Sequence, residues 1–322
     1  MTDIAISRRR RLAARPGAFG DPAFKVLTLA FAVLVLLVLA GVIASLVAGA
    51  LPALRQFGFG FLITEAWNPV TEKFGALAPV YGTLVTSAIA MLIAIPVAFG
   101  VALFITELCP NWLKRPLSIM IELLAAIPSI IYGIWGLFVL APFVQEHIEP
   151  ALIDTLGAIP GFGMLFEGPP LGIGVLTAGF ILAIMVLPFI SAVVRDVFET
   201  VPTVLRESTY ALGATTAEVV WQVVLPYARI GVFGGILLGL GRALGETMAV
   251  TFVIGNSHHI RASLLQPGTT ISAALANEFA EAVGDLYLSS LIALGLILFV
   301  ITFIVLALAK VLLIRLEQQA GS

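Results

Sequence analysis

The chain has 322 residues, of which 60 % are hydrophobic and 11 % charged, with a formal net charge of −2 and a mean hydropathy of +1.09. A soluble domain of this size carries roughly twice that share of charge, so the composition excludes a soluble globular protein. The apolar residues fall in continuous runs, and a run of about 20 residues spans a bilayer only as a helix, because no water is there to satisfy its backbone.

In chain order, residues 1–25 form a basic stretch (Arg8, Arg9, Arg10, Arg11, Arg15, Lys25) punctuated by Pro16, Gly17, Gly20 and Pro22, which reads as a disordered cytoplasmic tail. The first apolar run, Val26–Gly49, follows it. Ala48 and Ala50 are spaced like a signal-peptide cleavage site, but this run exceeds the roughly 7 to 15 residues of a signal core and reads as a retained helix. Residues 26–79 thus comprise a first transmembrane helix and an external loop, Ala50–Pro79, with interfacial aromatics such as Trp67 and Phe74. Residues 80–314 read as a core of five further helices: Val80–Ile105, Leu117–Ala141, Gly172–Val194, Ile230–Ile254 and Leu286–Ile314. Residues 315–322 are left as a short tail. Pro96, Pro128 and Pro188 are expected to kink their helices. No connecting loop exceeds about 35 residues, too few for an added domain of about 50 or more. Lys and Arg concentrate in the N-terminal tail, at Lys114 and Arg115, in 195–229 and at Lys310 and Arg315, which predicts that both termini and the 195–229 segment are cytoplasmic. The single cysteine, Cys109, reads as a small buried residue.

The polar island Arg195–Arg229 is the most structured of the connections. Thr203–Leu212 can form a short helix entered through Pro202 and ended by Gly213. Thr215-x-x-Glu218 is a capping box for a second helix, expected over Val219–Leu225 and stopped near Pro226. Glu207, Ser208, Thr209, Gly213 and then Val223-x-Leu225-Pro226 resemble the coupling loop of ABC-importer permeases, with Ser208 and Thr209 where that family carries two alanines. No glycine in the chain is followed by lysine, so there is no phosphate-cradling Walker motif. No cofactor is expected on this chain, and ATP would be used by a partner.

Within the fifth run lies Gly239-Leu240-Gly241-Arg242-Ala243-Leu244-Gly245-Glu246-Thr247. A charge near mid-bilayer costs at least about 2.5–3.5 kcal/mol unless paired or hydrated, which makes it a functional candidate by default. Glu246 lies one turn beyond Arg242, at i+4, on the same face. Arg242 then either presents its donor fork to an oxyanion, held by Glu246, or forms a buried pair that fixes helix packing. Thr247 and Thr251 could add hydroxyl donors or bond their own helix. Gly231, Gly235 and Gly239, and Gly241 with Gly245, form small-xxx-small series suited to a close helix contact at a subunit interface. Glu122, near the cytoplasmic end of the third run, could snorkel or pair locally, and the adjacent His258 and His259 lack the third ligand a metal needs.

The strings GLGRALGETMAVTFVIGN, AAIPSIIYGIWGLFVLAP and PVYGTLVTSAIAMLIAIPVAFG, with Ser272–Ala282, resemble the PstC subunits of bacterial phosphate importers, among the binding-protein-dependent transport permeases. The resemblance implies an all-α, MetI-like permease core in the inner membrane and no enzymatic activity. It implies a heterodimer with a PstA-like sister permease, two PstB-like ATPase subunits, a PstS-like phosphate-binding protein outside, and a link to phosphate-starvation signalling. It places the family's charged pair on Arg242 and Glu246. No nucleic-acid partner is expected. Another oxyanion, such as sulfate or molybdate, and a membrane component that only signals remain as alternatives on the residues alone.

Overall fold

The computed structural model describes residues 20–161 and 163–320. Among them the backbone is helix and turn, with one isolated bridge between Asn68 and Lys73 and no strand. The chain divides into two units, residues up to Ala48 and residues from Gly49 on. Six helices among the described residues are long and apolar enough to cross a membrane.

The first helix, α1, runs Gly20–Phe57. Residues 1–19 of the expected basic tail lie outside the described residues; 20–25 already belong to α1, with Pro22 in the first turn, where a missing N–H is tolerated. At its other end α1 continues well past Gly49, so the following loop is shorter than the hydropathy pattern suggests. Then come α2 (Leu77–Leu108), α3 (Asn111–Ala125), α4 (Ser129–Thr155), α5 (Val175–Glu199), α6 (Thr203–Ala211), α7 (Thr216–Gly245), α8 (Met248–Thr251), α9 (Ile271–Glu278) and α10 (Asp285–Ala320). The C-terminal tail expected from residue 315 instead continues α10 through Ala320.

Two apolar runs that read as single helices are interrupted. The third breaks at Ala126–Pro128, giving a separate α3 before α4, because proline offers no N–H and pushes the residue before it out of helical conformation. Pro128 therefore caps α4 rather than kinking a helix. In compensation α4 reaches Thr155, past the expected end of the run at Ala141, so Glu146, Glu149 and Asp154 stand on helix. The fifth run ends as helix at Gly245, where Glu246 turns extended (ψ 133°), and the short α8 follows. The two interruptions lie beside each other: a Cβ on Gly133 would sit 2.9 Å from the Met248 carbonyl and 3.2 Å from Ala249 Cα.

Three other prolines do not stop their helices. Among the described residues there are π turns at Phe104–Leu108, Gly136–Leu140, Val144–Ile148 and Val220–Val224. Each is followed, one residue on, by a proline; the helix continues through Pro142, Pro150 and Pro226, while Pro110 follows the end of α2 and caps α3. A proline ring crowds the carbonyl four residues back; the wider turn, as in the Leu225 N–H bond to Val220 O, makes room for it. This is why the helix expected to stop near Pro226 runs on unbroken from Thr216 to Gly245.

The centre is α5, which buries residues along its whole length, from Val175 to Phe198. It is clasped by α2, whose Ala78, Gly82, Thr86, Ala90, Ala94, Ala98, Ala102 and Thr106 are all buried at a spacing of four. Gly179 of α5 meets Ile89, and Gly231, Gly235 and Gly239 of α7 lie on Val197, Val193 and Ile190 of α5. The glycine series of α7 thus serves packing within this chain rather than between subunits. At Gly82 the approach is closest, since a Cβ there would fall 1.9 Å from the Thr269 carbonyl oxygen, while neighbouring Thr83 Oγ1 accepts the Ile271 N–H at 3.0 Å. Backbone cannot yield as a side chain can, so Gly82→Ala is expected to cost about 1–3 kcal/mol by overpacking. Thermal unfolding of the detergent-solubilised chain checks this, with a clear fall for Gly82→Ala and none for Gly234→Ala, whose Cβ would meet open space.

Candidate functional site

The polar island folds as a knuckle. α6 is entered through Pro202 and closed at Leu212 and Gly213, the latter at φ +89°, a conformation glycine adopts without strain. The capping box is complete: Thr215 N–H donates to Glu218 Oε2 (2.7 Å) and Glu218 N–H donates to Thr215 Oγ1 (3.4 Å). Glu207 and Ser208 are exposed and Thr209 half-buried; the Ser208 and Thr209 hydroxyls both donate to Leu205 O, at 3.1 and 2.8 Å. No residue of α6 is buried, and Val204, Tyr210 and the neighbouring Leu212 expose their apolar side chains. Leu225 and Pro226, half-buried and exposed, belong to the rod of α7.

Two arginines anchor the base of the knuckle, a role the sequence did not assign them. Arg195 Nη2 bridges Glu122 Oε1 of α3 (2.9 Å) and Asp196 Oδ1 (2.5 Å). Arg206 Nη2 donates to Phe198 O at the end of α5 (2.5 Å) and lies 3.3 Å from Glu107 Oε1 at the end of α2. Glu122 does pair locally, with an arginine 73 positions away in sequence.

Arg242 stands in the last turn of α7, its guanidinium 5.9 Å above the ring of Phe189, near the middle of α5. That places it at mid-depth of the bundle. The structure does not bring Arg242 and Glu246 into a pair, because the helix ends between them. Glu246 Oε1 instead accepts the Ala249 N–H (3.3 Å) at the start of α8. Thr251 Oγ1 donates to Thr247 O (2.7 Å) and Thr247 Oγ1 to Gly245 O (3.4 Å), so both hydroxyls are engaged with their own backbone. Across the neighbouring interruption, the Tyr132 hydroxyl donates to Leu124 O (2.8 Å). Along α7, Tyr227, Ile230, Leu238, Arg242 and Gly245 are all exposed, and their spacing puts them on one face. The site therefore combines a cation at mid-depth, two broken helices, and a face open to something outside the chain.

Residues 92–318 match the family described as binding-protein-dependent transport system inner membrane component. Over 318 residues the chain is 61 % identical to the phosphate transport system permease protein PstC of Mesorhizobium japonicum, covering 99 % of this chain and 97 % of that one. The chain belongs to the PstC family of these permeases. It is 57 % identical to PstC of Pasteurella multocida over 92 % of this chain and 93 % of that one, and 41 % identical to the probable PstC of Methanocaldococcus jannaschii over 88 % and 90 %. Among solved structures it resembles a bacterial ABC transporter involved in alginate import (TM-score 0.61, 16 % identity, 92 % of this chain and 98 % of that one). It also resembles the inward-facing MetNI methionine transporter (TM-score 0.51, 18 % identity, 76 % and 94 %). The all-α, MetI-like fold expected for the permease holds, as does its multi-pass membrane character.

At the end of the permease opposite the knuckle, the structure assembles a cluster that sequence reading did not find. Glu278 of α9 accepts from Trp67 Nε1 (2.6 Å) and Tyr287 Oη (2.7 Å) through Oε2, and its Oε1 lies 2.7 Å from His258 Nε2. The His258 and Trp67 rings stack at 5.0 Å. His259 Nδ1 lies 3.6 Å from Glu65 Oε1, which also accepts the Ile260 N–H. The two adjacent histidines are thus held apart on separate carboxylates. Burial alone would raise the Glu278 carboxyl, but the bonds from His258 and Tyr287, the charge of His258 and the Trp67 bond together hold it below the ordinary carboxylate range. A depressed carboxylate stabilises the fold above its unfolded value, and that contribution is lost as pH falls through the folded value. Hydrogen-exchange protection of α9 amides, corrected for intrinsic pH dependence, is expected to drop on acidification below about pH 4. In Glu278→Gln, protection starts lower and loses most of that pH dependence.

Proposed function

We propose that this chain is the membrane-spanning permease subunit of an ATP-driven phosphate importer, forming half of the translocation pathway and taking its energy from a separate ATPase. The observation that carries the pathway is Arg242, a permanent cation at mid-depth on a helix face that this chain leaves open. Facing lipid there would cost at least about 2.5–3.5 kcal/mol. A second, PstA-like permease across that face, with a hydrated path between the two, removes the cost and puts the guanidinium where an oxyanion passes. Without an ion pair to Glu246, the fork is free to meet phosphate, and a solitary arginine binds it in a form that can be released. Glu246 acts instead as a cap on the first turn of α8, where Thr251 also bonds, while Thr247 bonds the Gly245 carbonyl at the broken end of α7.

The knuckle supports the coupling role. α6 offers Glu207 with an exposed apolar rim to a groove on one of two PstB-like ATPase subunits, where ATP is bound and hydrolysed. Both termini and the knuckle then lie in the cytoplasm, as the distribution of Lys and Arg favours. The far end, with the Glu278 cluster, faces a PstS-like binding protein, and this chain itself binds no cofactor. The phosphate substrate rests on the similarity to PstC proteins, which also favours it over sulfate or molybdate.

Uptake of radiolabelled phosphate by cells lacking the chain, re-supplied with wild type or Arg242→Gln, tests this. Wild type is expected to restore uptake that excess sulfate and molybdate leave unchanged. Arg242→Gln, at normal membrane level and assembly, is expected to fall at least about tenfold. Full uptake by the variant removes Arg242 from the pathway, and no uptake with wild type and all partners present overturns the substrate.

A further inference from the structure

Arg206 and Glu207 are neighbours on α6 with opposite surroundings. Glu207 is exposed, whereas the Arg206 side chain is 18 % exposed and its partner Glu107 only 6 %. The Arg206 guanidinium joins three elements: it stands on α6, donates to Phe198 O of α5, and lies against Glu107 on the last turn of α2. α6 itself buries no residue, and it is flanked by the turn at Val201–Pro202 on one side and Gly213 at φ +89° on the other. Without a rigid cross-link, a force applied to α6 would be taken up by bending at those two turns.

We propose that the Glu107–Arg206 pair is a positioning element for transport, the strut by which movement of the knuckle is passed to α2. The inference rests on the reading of α6 as the ATPase-docking helix. Loss of either partner leaves the other charge sheltered and unpaired, so the link is all-or-none in character. Once moved, α2 takes α5 with it, because the small-residue seam locks the two together, so displacement at Glu107 is passed into the membrane. Arg195 with Glu122 makes a comparable link from α5 to α3, but on α5 rather than on the docking helix, so it holds the frame and does not receive the stroke.

The test uses the complete complex, this chain with sister permease, ATPase and binding protein, in proteoliposomes loaded with ATP. Phosphate imported and ATP hydrolysed are measured together for wild type, Glu107→Gln, Arg206→Gln and the double variant. The expected result is a fall of about fivefold or more in phosphate moved per ATP for each single variant, with hydrolysis within about twofold of wild type. The double variant is expected to be no worse than either single one, as for two halves of one link. Transport and hydrolysis falling together, in proportion to lost complex, would show a purely structural pair and overturn the proposal, as would unchanged coupling or additive effects. Should Glu107→Gln fail to assemble, Glu107→Asp, which keeps the charge but shortens the reach, replaces it, and normal coupling across the widened gap overturns the idea equally. Failure of wild type to import phosphate is a distinct result, which sinks the functional reading and the strut with it.

Discussion

The architecture depends on how closely α2 and α5 approach. Eight buried positions of α2, from Ala78 to Thr106, carry alanine, glycine or threonine at intervals of four. In lipid, apolar side chains gain nothing by leaving their surroundings, so helices associate through close packing of surfaces, and small residues permit it. A spacing of four drifts by about 40° per step against a helix of 3.6 residues per turn, so the seam winds around α2. Its upper part meets the backbone at Thr269, and its lower part lies along α5. One helix thereby fixes both the central packing and the position of the segment after α8.

Against that rigid centre, the interruptions of α3–α4 and α7–α8 are deliberate exceptions. Backbone that leaves helical geometry within a membrane protein is tolerated where protein or a water-lined cavity satisfies it. Here Tyr132 closes one break and Glu246 caps the other, and Gly133 lets them touch. A continuous α7 would carry Arg242 and Glu246 on one face as a neutral pair. Breaking it after Gly245 separates the charges and leaves the cation available, so an irregularity in the backbone decides the electrostatics of the site.

Much of this was legible in the sequence, and the failures have physical causes. Hydropathy found six crossing helices because each must satisfy its backbone alone, and the knuckle was readable because Pro202, Gly213, Thr215 and Glu218 are local signals. Interruptions within apolar runs were not readable, since hydropathy reports burial in lipid and not backbone continuity. Pro128 broke its run and Pro226 did not, the difference lying in a π turn that composition does not disclose. The α7 glycines were read as an interface with another subunit, because spacing reveals that a close contact exists without revealing its partner. Pairs such as Arg206 with Glu107 join positions far apart in sequence, and only the fold brings them together. The period-four seam of α2 was present in the sequence as a regular pattern and could have been found by counting small residues.

The π turn at Val220–Val224 has a mechanical consequence. By carrying the helix past Pro226, it makes the capped end of the knuckle and the mid-depth arginine two points on a single lever. From Thr216 to Arg242 the rod is roughly 39 Å long at 1.5 Å per residue. Pivoting about its knuckle end, a tilt of only about 10° would sweep the guanidinium through roughly 7 Å, more than a full helical pitch. Modest rotation at the surface is thereby geared up into a large excursion at the centre of the membrane.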